Sequence, residues 1–171
     1  MPCLRGRPLH FSFRPELRTT RGQLRSGGDT GTEVHAGSFI HRREVVMESG
    51  LAAHPAELAR VLVHELFHFI WLRSGNPTRL SYELLLENEM IRQAWGELGW
   101  SAESRKRSLK IADRLRRSRR WREYVCESFC DSAAWLLAGL RAHEEFTLGV
   151  RHRRLRRDWF RRALAGDEIS I

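Results

Sequence analysis

Between Val61 and Leu72 the sequence runs VLVHELFHFIWL, and its only polar side chains are His64, Glu65 and His68. A helix that is apolar nearly all round belongs in the interior, and two imidazoles and a carboxylate are costly to bury there without specific partners. A divalent metal would be such a partner. Residues four apart lie on one helical face, one above the other, so the rings of His64 and His68 can converge on a single ion. Glu65 points about a quarter-turn away, where it can reach a metal-activated water without occupying a coordination position. The alternative is a pair of core histidines hydrogen-bonded to carboxylates or carbonyls.

A catalytic zinc takes three protein ligands and keeps one position open. The third is sought in YVCESFCDSAAWLLAGL (124 to 140), whose only charged residues are Glu127 and Asp131, on one face. Glu127 is the expected metal ligand. Asp131, one turn on, is expected behind the ligands, accepting a hydrogen bond from the far ring nitrogen of a ligand histidine, with His64 the first choice. Against this stands a plain solvated stripe, since Glu123, Glu127 and Asp131 follow one another at intervals of four. Glu83 and Glu87 in SYELLLENEM are rival third ligands. Asp113, among arginines, reads as a surface ion-pair partner. For the donor that must meet a developing oxyanion, Tyr124 is the first candidate by spacing, with His143 and Tyr82 behind it; the other reading of Tyr124 is a packing residue.

HELFH (64 to 68) followed by ESFCD (127 to 131) resembles zincin metallopeptidases of the gluzincin type, with HExxH on one helix and ExxxD on a later one. The run Glu127, Asp131, Ala133, Ala134, Leu136, Leu137 is similar to that of the ImmA/IrrE metallopeptidase family, over roughly residues 38 to 140. The resemblance implies a zinc cofactor, hydrolysis of a peptide or protein substrate, His64, His68 and Glu127 as ligands, and Glu65 as general base and then acid. It further implies a strand-containing half packed on the active-site helix, with an edge strand that pairs with an extended peptide. IHRREVVM (40 to 47) is the candidate edge. Phe67 departs from that branch, which usually has glycine there.

The elements that would position these groups follow from punctuation and periodicity. LHFSF (9 to 13), EVHAGSF and a strand centred on Arg43 to Met47 predict a small antiparallel sheet, with Gly22 to Gly31 as a flexible loop and Gly37 and Gly50 as bends. Pro55 is well placed to open a helix that runs to Arg73. Helices are expected from Ser81 to Gly96, Ser101 to about Arg117, Ser118 to about Leu140, the last two conceivably continuous, and finally 150 to 164 before a polar tail. The fold class expected is α+β and zincin-like: one domain over 1 to 171, strands and loops to residue 50, helical from 51.

The chain has 171 residues, enough to enclose a core without staples. Its formal charge is +9, with 30 Lys and Arg against 21 Asp and Glu. The basic residues are densest at 105 to 122 and 151 to 162, interleaved with apolar residues at helical spacing, and so read first as amphipathic helices. A regulatory or binding module on a zincin scaffold, using these helices to hold acidic partners or nucleic acid, is the competing function; a purely structural zinc is a third. No apolar run suggests a signal peptide or membrane span, and the expected compartment is the cytoplasm. Cys3, Cys126 and Cys130 suit reduced thiols. The CxxxC spacing puts two sulfurs on one helical face, where small buried hydrophobes are the favoured reading over a metal role.

Overall fold

In the computed structural model, which describes residues 3–166 and 168–171, the chain divides as its patterning divides: short strands first, then helices. β1 (Cys3–Arg5), β2 (His10–Arg14), β3 (Leu17–Thr20), β4 (Gln23–Ser26), β5 (Thr32–Glu33), β6 (Ala36–Phe39) and β7 (Glu44–Glu48) precede α1 (Pro55–Arg73), α2 (Asn76–Ile91), α3 (Trp100–Ser108), α4 (Ile111–Leu115), α5 (Arg119–Leu137) and α6 (Val150–Ala163), with β8 (Glu168–Ser170) at the end. The architecture is α+β.

The sheet differs from the expected antiparallel one. β7 lies in the middle of a mixed sheet in the order β2-β7-β6, parallel to β2 and antiparallel to β6. Its Val45 and Val46 are shut off from solvent, as a central apolar strand requires. IHRREVVM is therefore not an edge. Ile40–Arg42 form a 3-10 turn, Arg43 takes a left-handed conformation with φ 53°, and only from Glu44 is the segment extended. The edge strands are β2 and β6, and Gly37 lies within β6, opposite Val46, not at a bend. The segment from Gly22 to Gly31 is no simple loop either: β4 pairs with β3, and β3 with β5, in an antiparallel three-stranded unit. The polar tail also has structure, β8 pairing parallel with β1 so that the two ends of the described chain meet.

The helical half follows its caps. α1 opens with Pro55 in its first turn, and Ser118 caps α5 by accepting from the Trp121 N–H at 3.4 Å. α2 begins five residues before Ser81 and stops at Ile91. The expected helix from Ser101 to Arg117 is two, because Leu109 is extended and Lys110 starts α4; Arg117 at φ 46° separates α4 from α5. Asp113, expected in a surface ion pair, caps this junction, accepting from the Lys110 N–H at 3.0 Å and the Ser118 hydroxyl at 2.7 Å.

One core cluster reaches from β7 through α1 and α5 to α6. Phe67 is buried between Phe129 of α5, with ring centroids 5.6 Å apart, and Phe160 of α6, 6.3 Å away. Where a glycine would let another segment approach α1, this chain fills the space with an aromatic. That cluster packs α1 against α5, the two helices that carry the motif residues.

Candidate metal centre

α1 and α5 lie side by side, and the polar residues of each meet where they touch. His64 Nε2 is 3.2 Å from His68 Nε2 and 3.3 Å from Glu127 Oε2, and His68 Nε2 is 4.0 Å from the same oxygen. The two rings stand at 77° to each other. A tetrahedral ion with ligand bonds of about 2.0–2.1 Å holds its donors about 3.3–3.4 Å apart. Two edges of the triangle already have about that length, and the third, from His68 Nε2 to Glu127 Oε2, is longer at 4.0 Å. His64, His68 and Cys130 likewise form a buried group whose donor atoms lie within 4.8 Å of one another and could hold a metal ion. Both sets share the two histidines of α1.

Each histidine is held from behind. His64 Nδ1–H donates to Asp131 Oδ1 at 2.7 Å, which directs the Nε2 lone pair toward Glu127 and His68. The other oxygen, Asp131 Oδ2, accepts from the Ala102 N–H at 2.8 Å and ties the start of α3 to the centre. Burial alone would lower the pKa of His64, but the Asp131 charge and hydrogen bond, with Glu127 beyond, raise it well above the ordinary imidazole value. His68 Nδ1 faces two sulfurs, Cys126 Sγ at 3.6 Å and Cys130 Sγ at 3.5 Å. Burial raises Glu127, yet the His64 hydrogen bond and the charges of His68, His64 and Arg105 bring its pKa down to about 2. Glu127 is thus a carboxylate at any ordinary pH, as a ligand must be.

Glu65 lies beside this group on a separate tether. The Ser38 hydroxyl of β6 donates to Glu65 Oε2 at 2.5 Å. The edge strand is thereby tied to the carboxylate that stands next to the histidines. Sequence reasoning missed Ser38, since nothing in the spacing of a short strand marks one serine for contact with a residue 27 positions on.

His64, Glu65, His68, Glu127, Asp131 and Ser38 line a cleft of ≈ 740 Å³ between β6, α1, α5 and the start of α3. Trp100, Ser101 and Arg105 stand on its α3 wall. Arg105 reaches Glu127 Oε1 with Nη2 at 3.0 Å. It comes from one of the two arginine-rich segments.

Several expected residues are elsewhere. The Tyr124 hydroxyl is fully buried and donates to Glu97 Oε1 at 2.6 Å, and the residue does not line the cleft. Tyr82 donates to the Ser128 carbonyl at 2.9 Å, and His143 Nε2 pairs with Glu57 at 3.2 Å. Glu83 accepts from the Trp121 indole N–H and, like Glu87, faces Arg117. Neither rival carboxylate approaches His64 or His68.

Neither the known protein families, nor the curated proteins, nor the solved structures contain a match to this chain.

Proposed function

We propose that the chain is a zinc-dependent metallopeptidase whose cleft cleaves an extended peptide lying along β6. The observation that carries this reading is the convergence of His64 Nε2, His68 Nε2 and Glu127 Oε2 to within 3.2–4.0 Å, with Glu65 alongside and the whole group opening on one cleft. Two imidazoles and a carboxylate are the donor set of hydrolytic zinc, and three protein ligands leave one position for chemistry. Cys130 is the less favoured third ligand, since its sulfur faces Nδ1 of His68 and not the nitrogen that points at Glu127.

Zinc held there would polarise a carbonyl and make water a nucleophile at neutral pH. The chain supplies the rest. Glu65 accepts the proton of the attacking water and passes it to the leaving amine, and Ser38 fixes which way its carboxylate faces. With Tyr124 turned away, Arg105 is the donor placed to meet the negative charge that develops on the carbonyl oxygen. The free edge of β6 offers backbone groups to an extended segment.

Purified protein should contain one zinc, and Glu65→Gln should keep that zinc while losing cleavage of a mixed peptide library by at least about a hundredfold, the scale expected for a lost general base. Equal cleavage by wild type and variant would overturn the reading. So would retention of full zinc affinity by Glu127→Ala.

A further inference from the structure

Hydrolysis in this cleft would use one face of His68. The other face carries donors with no part in it. Cys126 and Cys130 stand one turn apart on α5, and both sulfurs reach the same atom, His68 Nδ1, at 3.6 and 3.5 Å. A tetrahedral ion with bonds of about 2.3 Å to sulfur and about 2.0–2.1 Å to nitrogen sets those atoms about 3.6 Å apart. Cys130 is fully buried, whereas Cys126 is half-buried and lines the cleft, so an ion has a way in.

We infer that Cys126, Cys130 and His68 Nδ1 form a second metal position, one that takes a thiophilic d10 cation such as cadmium, mercury(II) or copper(I). Two thiolates and an imidazole suit soft ions, whereas the two imidazoles and a carboxylate on the other side suit zinc. Binding releases the two thiol protons and forms two metal–sulfur bonds and one metal–nitrogen bond.

A neutral imidazole has one lone pair and one N–H. Coordination through Nδ1 places the proton on Nε2, which then cannot serve the position shared with His64 and Glu127. The two positions therefore exclude one another through the tautomer of a single ring. A soft ion on the thiols releases zinc without touching Glu127.

The test is cadmium titration in a Cys3→Ser background, which removes the exposed third thiol. With metal-free protein, cadmium–thiolate charge-transfer absorption should saturate at one equivalent, fall by half in Cys126→Ser and vanish in Cys126→Ser/Cys130→Ser. With zinc-loaded protein, that equivalent of cadmium should release one zinc to a chromogenic indicator, and at least tenfold less in the double variant. Absence of the absorption band in folded protein, or a band unchanged by Cys126→Ser, would overturn the site; a band without zinc release would overturn the exclusion. Cys126→Ser alone suffices should the buried Cys130 variant fail to fold. Neither readout involves peptide cleavage, so this proposal and the peptidase reading can fail separately.

Discussion

His64 sits between two carboxylates, Asp131 on Nδ1 and Glu127 on Nε2, in the wall of the cleft. Its raised pKa, in which the cost of burial is outweighed by the charge and hydrogen bond of Asp131, favours the protonated ring when no metal is bound. A ligand nitrogen must be bare, so a zinc ion bound there, as proposed, would have to displace any proton that nitrogen holds. Calorimetric titration at pH 7 in buffers of different ionisation heat should show at least one proton released per zinc, and the apparent affinity should rise with pH. No proton release would place the ion elsewhere. Asp131→Ala, which removes the support behind His64, should weaken zinc about 10–100-fold. His64, Glu65, His68, Glu127 and Asp131 were all legible, because helical periodicity converts intervals of four into a shared face. Ser38 and Arg105 were not, because they come from other elements and no local spacing records which segments will face each other. Tyr124 misled for a related reason: spacing placed it near Glu127 along the helix, but a buried hydroxyl goes where a partner is, and Glu97 was that partner.

At the scale of elements, Asp131 does more than orient a ring. It accepts from the backbone of α3 at Ala102, and Gly99 just before that helix lies against the same carboxylate. A Cβ on Gly99 would come within 2.2 Å of Asp131 Cγ. Gly99→Ala should therefore push α3 off α5, costing about 1–3 kcal/mol of stability, the usual range for overpacking, and weakening zinc through His64. Thermal unfolding and a competitive chelator titration would measure the two effects; a variant with wild-type values in both would show that α3 is not tied to the centre. α1 and α5 were readable from Pro55 and Ser118 because cap and first-turn chemistry is local. The split of α3 from α4 was less so: the segment from Ser101 to Arg117 has no proline or glycine, and the break at Leu109 comes with Lys110 starting a new cap at Asp113. Strand order was hidden for a different reason, since β2 and β7 pair across all of β3 to β6 and nothing in either strand announces the other.

Over the whole molecule, the arginine-rich character proves to be partly internal. Arg156, from the densest basic segment, is fully buried, with Nη2 2.6 Å from Glu89 Oε2 and Nη1 2.7 Å from Glu97 Oε2. Lys106 pairs with Glu97 at 3.1 Å, and Tyr124 donates to it as well. Periodicity showed that α6 was amphipathic but could not show that one arginine faces inward, because an arginine buried among carboxylates from α2 and the segment before α3 has the same local sequence as a solvated one. This network joins α2, α3, α5 and α6 behind the candidate metal centre, and Arg156→Met should cost about 3–5 kcal/mol by leaving Glu89 buried without its cation and Glu97 with Lys106 alone.

Its dependence on pH has a definite sign. Burial raises the Glu97 pKa, but the Arg156 charge and hydrogen bond, with Lys106 and Tyr124, bring it below the ordinary value. A carboxyl depressed in the folded state contributes stability that is present above its unfolded value, about 4.3 for glutamate, and is lost as pH falls through the folded one. Wild type should therefore lose stability on acidification from about pH 5 downward. Glu97→Gln should be less stable at neutral pH yet lose less over that interval, and urea unfolding of both proteins from pH 7 to 3 would measure the difference in slope. Parallel curves would mean that Glu97 does not hold its proton off in the folded state, and that Arg156 is balanced by Glu89 alone.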